Sequence, residues 1–138
     1  MKDYRVRRPK QHDALMNALK DEGIFDSLKS VLVFAAAIGA SQDIRKEFSD
    51  SAERIPLRIF NETQDIPFML ALALAKTNAV TNLREDNMEV VLKIFEESAA
   101  AGLDYLEGYL DQSNPKESIE QLLTRGERSD LLTDLTSW

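Results

Sequence analysis

Glu97, Asp104, Glu107 and Asp111 follow one another at intervals of seven, three and four residues. A helix over this stretch would carry all four carboxylates on one face. Such a face could hold a metal ion and activate water, which is hydrolase chemistry. Helical di-metal sites, however, take ligands from several helices and include Glu-x-x-His pairs. This chain has a single histidine, His12, and no cysteine. A zinc site would need carboxylates alone beside that one imidazole, an unusual ligand set. The stripe is therefore expected to be a solvated face open to a basic partner, and His12 a surface residue. A Ser-His-Asp triad would have to use His12, and no Gly-x-Ser-x-Gly elbow is present. Neither phosphate-binding glycine motif occurs. The expectation is a protein that is not an enzyme, with no catalytic residue, no metal and no cofactor.

The other chemistry lies at the N-terminus. The first ten residues hold Lys2, Arg5, Arg7, Arg8 and Lys10 against one acid, Asp3, on a chain of net charge −7. A basic arm on an acidic body points to a partner of its own, and a polyanion is the first candidate. Arg5, Arg7, Arg8 and Lys10 are the expected DNA-contacting residues. Arginine suits guanine edges and phosphates because its planar fork donates two parallel hydrogen bonds. A second basic group, Arg45, Lys46, Arg54 and Arg58, is interleaved with Asp43, Glu47, Asp50 and Glu53. Solvation and local ion pairs account for it.

The elements that must carry these residues follow from periodicity. Tyr4 and Val6 alternate with Arg5 and Arg7, as in a short strand with an apolar and a polar side. Pro9 suits the first turn of a helix running to about Asp21, which Gly23 ends. Asp26 is a good N-cap for a second helix over 27–38, closed by Gly39. Its Phe34 is expected in the core. Residues 41–64 are irregular, with a short polar helix over 41–48. Ile55, Leu57 and Ile59 alternate in a brief extended segment that Pro56 keeps on an edge. Asp65 and Pro67 open a third helix to about Lys76, and 78–83 connects it onward. Met88, Val91, Leu92, Phe95, Ala99, Leu103, Leu106 and Leu110 keep helical spacing along a fourth helix from about Glu85 to Asp111. Gly102 and Gly108 would bend or break it. Pro115 starts a fifth helix that Gly126 ends, and 127–138 form a tail.

The fold class is thus mainly α: one compact domain over 1–138, four or five helices around the second and third, with a short N-terminal β-strand. A length of 138 residues, 43% of them hydrophobic and 30% charged, suits one soluble globular domain with a real core. No signal peptide is visible. The apolar runs at 31–40 and 66–75 are too short to span a bilayer, so no membrane association is expected. With no cysteine, a cytoplasmic location fits.

Two resemblances add context. A strand followed by two helices, over 3–8, 9–21 and 27–38, resembles ribbon-helix-helix DNA-binding proteins. In that family two strands pair across a dimer and their outward side chains enter the major groove. The resemblance implies a homodimeric transcription regulator with Arg5 and Arg7 outward and Tyr4 and Val6 inward. The chain is far longer than that minimal domain. The second resemblance covers nearly the whole chain. Arg-Arg-Pro-Lys (7–10), Asp-Glu-Gly-Ile-Phe (21–25) and Val-Leu-Val-Phe-Ala-Ala-Ala-Ile-Gly (31–39) resemble small bacterial proteins associated with dnd-type DNA phosphorothioation systems. Residues 57–60, 70–76 and 95–103 continue it more weakly. This resemblance implies a non-catalytic accessory component of a DNA-modification or restriction defence system. It would bind protein partners of that system and, through the arm, duplex DNA. No catalytic residue carries over.

Overall fold

The structure, a computed structural model, describes residues 3–77, 88–109 and 117. The expected connector at 78–83, the fifth helix and the tail lie outside the described residues. Strand β1 (Arg5–Val6) leads through a 3-10 turn (Lys10–His12) into α1 (Asp13–Asp21) and α2 (Leu28–Ser41). Strand β2 (Ile55–Pro56), a second 3-10 turn (Leu57–Ile59), α3 (Asp65–Thr77) and α4 (Met88–Tyr109) follow. The protein is mainly helical, with one short antiparallel sheet.

Local chemistry explains most boundaries. Gly23 adopts φ +75°, a left-handed conformation that glycine takes without strain, and the chain turns there after α1. The N-cap of α2 is Ser27, one residue beyond the expected Asp26. Its extended backbone lets Oγ accept the Ser30 N–H at 3.3 Å. Asp65 and Pro67 open α3 as expected. The stretch at 44–50 forms no helix.

The centre of the molecule is the pair α2 and α4, not the second and third helices. These two share the broadest contact between elements. Gly39 does not end α2, which runs on to Ser41. A Cβ at Gly39 would collide with the Ser98 backbone, and one at Gly102 with the Ala35 backbone. Ala35 and Gly39 are therefore one turn apart on α2 and meet Gly102 and Ser98, one turn apart on α4. The order of the contacts makes the helices antiparallel. α4 passes Gly102 unbroken, because the glycine serves close approach and not a bend. Phe95, fully buried, fills the space below this seam. It meets Phe60 edge-on at 5.9 Å and Phe68 at 6.5 Å. Phe34 is only half-buried and pairs with Phe25 at 5.2 Å.

The sheet ties the N-terminal segment to the middle of the chain. Arg5 pairs with Pro56 and Val6 with Ile55. Even-numbered residues turn their backbone toward the β2 side. Tyr4 O accepts the Leu57 N–H at 2.9 Å, and Arg8 O accepts the Ala52 N–H at 3.0 Å. Arg7 turns the other way, and its N–H donates to Glu96 Oε2 at 2.8 Å. The ribbon-helix-helix arrangement would pair β1 with its own copy. Here β1 pairs within the chain, and α4 holds its outer edge at Arg7.

Candidate functional site

The β1–β2 pairing gathers two basic groups that lie far apart in sequence. Arg54 and Arg58 flank Pro56, the partner of Arg5, and all three arginines are exposed. Arg5 and Arg58 share the Asp3 carboxylate, at 3.6 and 4.0 Å. Arg5, Arg7 and Arg54 border one cleft together with Lys93 of α4, and the carboxylates of Asp3, Glu89 and Glu96 are interleaved with them.

The four arm cations therefore divide. Arg5 and Lys10 face solvent. Arg7 is turned onto the body: its Nε lies 3.1 Å from Glu96 Oε1, and its guanidinium sits 4.6 Å above the Phe48 ring. Arg8 is buried, donating to Glu53 O and to Asp13 Oδ1, both at 2.7 Å. Lys10 borders a different cleft, with Phe48 and Asp50.

The polar face of α4 receives the rest of the clasp. Glu96 and Glu97 are both buried. Burial pushes the Glu96 carboxyl above its ordinary value of 4.5, although the Arg7 backbone, charge and side chain pull it back. The Glu97 carboxylate lies 3.9 Å from Arg45 Nε, and its backbone oxygen accepts the Lys46 N–H at 3.0 Å. Asp104 receives the Lys46 ammonium and His12 Nε2, the latter at 2.7 Å. Burial pushes the Asp104 carboxyl up, but the hydrogen bonds from Lys46 and His12 outweigh it and hold it below 3.8.

His12 corrects the expectation of a surface residue. It is 2% exposed, with Nδ1 facing the Glu107 carboxylate in a close contact that lacks hydrogen-bond alignment. The imidazole is packed between two α4 carboxylates. The expected solvated stripe is thus partly internal, with Glu97 buried and Asp104 and Glu107 engaged. Asp111 lies outside the described residues. Among the described residues no group of three or more metal-ligating side chains is arranged to hold an ion, and no helix is long and apolar enough to cross a membrane.

Sequence reasoning did not single out Lys93 or the role of Glu96. A signal for Glu96 was available. It falls at helical spacing among Leu92, Ala99 and Leu103, inside the apolar stripe. A carboxylate there requires a buried partner.

Residues 5–135 match the family model of DNA sulphur modification system-associated protein 4. The chain belongs to that family, and so is associated with a DNA sulphur modification system. No curated protein and no solved structure matches it.

Proposed function

We propose that this protein is a non-catalytic accessory component of a bacterial DNA-modification or restriction system, acting in the cytoplasm by binding a protein partner and DNA. The observation that carries the DNA contact is the exposed group Arg5, Arg54 and Arg58, gathered by strand pairing, with Lys93 of α4 beside Arg5 and Arg54 at one cleft, on a chain of net charge −7. A local cationic face on an acidic protein is the electrostatic footprint of a polyanion site. Arg5 and Lys10 are the arm's outward contacts in this reading. Arg7 and Arg8 position the segment through Glu96 and Asp13. The non-catalytic reading is supported by His12, whose ring is buried between two carboxylates.

Anisotropy titration of labelled DNA tests the contact. Affinity should fall steeply between about 50 and 200 mM salt, and Arg5→Ala/Arg58→Ala should weaken it at low salt. Binding that ignores both salt and substitution would remove the site from this face. Co-purification of the neighbouring modification proteins with the full chain tests the partner contact.

A further inference from the structure

The cleft between the β1–β2 ribbon and the first turns of α4 allows the DNA contact to be narrowed. It is an open cleft with a volume of about 410 Å3, of the same order as the roughly 300–1,000 Å3 of small-ligand clefts. Three exposed cations reach it from three separate places: Arg5 on β1, Arg54 just before β2, and Lys93 on α4. Arg7 also borders it but is turned to Glu96. The Arg5–Asp3 pair is long, at 3.6 Å, with both side chains more than half exposed. Such a pair is screened by solvent and weakly held, so an incoming phosphate can replace it. Tyr4 and the buried Leu92 supply an apolar wall.

Shape decides between forms of nucleic acid. A duplex is read by a convex helix or ribbon that enters its groove. Here the ribbon lies against α4, its outer edge is held by Glu96 at Arg7, and the exposed cations Arg5, Arg54 and Lys93 converge on a concavity that Asp3, Glu89 and Glu96 also border. A single strand is bound in that way, by cations along the backbone beside a surface for the base. We propose that this cleft binds one nucleotide of a single-stranded DNA segment, its phosphate held by Arg5, Arg54 and Lys93 and its base or sugar set against Tyr4 and Leu92. This assignment rests on the DNA-binding reading and specifies where and in which strand state the contact is made.

The test is anisotropy with a fluorescein-labelled thymidine hexamer and a hairpin duplex carrying the same label. Wild type is compared with Arg54→Ala/Lys93→Ala and with Lys20→Ala/Arg45→Ala, which removes equal charge from exposed positions outside the cleft. All four positions are on the surface, and unchanged unfolding midpoints confirm that each variant is folded. The cleft variant should lose about tenfold or more in hexamer affinity, and the control about threefold or less. Wild type should bind the hexamer more tightly than the hairpin. Equal losses in the two variants would overturn the cleft while leaving DNA binding by general electrostatics in place. Preference for the hairpin would overturn the strand assignment. Displacement of the hexamer by inorganic pyrophosphate as readily as by unlabelled hexamer would make this a small-anion site and overturn the proposal. Failure of wild type to bind either DNA at about 50 mM salt would overturn both this assignment and the DNA-binding reading.

Discussion

The two sides of α4 are built on opposite principles. Toward α2 the helix presents Ser98 and Gly102, so close to Gly39 and Ala35 that a single added methyl would strike backbone. Toward the N-terminal segment and the loop after α2 it presents Glu96, Glu97, Asp104 and Glu107, which receive Arg7, Arg45, Lys46 and His12. The first side is specified by exclusion of atoms and tolerates none extra. The second is specified by charge and can lose a member while the helix stays in place. Packing density is unforgiving, whereas the ion contacts of the part-exposed Asp104 and Glu107 are individually weak. The difference separates what holds the molecule together from what dresses it for a partner.

Substitutions should expose that contrast in graded fashion. Phe95→Ala removes the fully buried ring beneath the seam and should cost about 3–5 kcal/mol in urea unfolding. Phe34→Ala, at a half-buried position, should cost clearly less, and equal losses would displace Phe95 from the centre. Gly102→Ala should cost about 1–3 kcal/mol or more, because the obstacle is backbone and cannot rotate away. Gly108→Ala, where a Cβ meets nothing within 4 Å, should instead stabilise by up to about 1 kcal/mol. If the two glycine variants behaved alike, the close crossing of α2 and α4 would be wrong.

Polar contacts, those of the N-terminal segment and those on α4, should respond more mildly. Arg8→Met keeps the packing volume but strips the hydrogen bonds to Asp13 and Glu53, and should cost about 2 kcal/mol by the same assay. The smallest effect concerns Asp104. Its folded value is depressed, so its contribution is fully present above the ordinary value of 3.8 and is lost as pH falls from there through the folded value. Asp104→Asn should therefore flatten the acid limb of the stability profile below about pH 4, with little change in its shape near neutrality. An acid limb identical to that of wild type would show that the Lys46 and His12 contacts do not couple to folding.

Much of this architecture is written in local pattern. The strand at Arg5–Val6, the helix opening at Asp65–Pro67 and the edge position of Pro56 all follow from rules that act over a few residues. What escaped depends on residues brought together from far apart. Gly39 and Gly102 look like a stop and a break when each is considered alone, and only their encounter with Ala35 and Ser98 reveals a crossing. His12 has no neighbour in sequence that announces burial, since both of its carboxylates lie on α4. Arg54 and Lys93 are ordinary surface cations until β1 pairs with β2 beside α4. The candidate site is an outcome of tertiary structure, which is why the arm alone gave only part of it.

The glycine crossing also bears on how the chain reaches its fold. Each interior glycine weakens its own helix by about 1 kcal/mol relative to alanine, and a helix as short as α2 is marginal alone in water. α2 should therefore be unstable until it meets α4, and the residues that meet are roughly sixty positions apart, a long loop to close before any reward arrives. Folding should be rate-limited by this encounter, with the N-terminal segment settling onto α4 afterwards. The barrier would then respond strongly to changes at Gly39 and Gly102 and hardly at all to changes at Arg7, so that the cationic surface forms last and opens first.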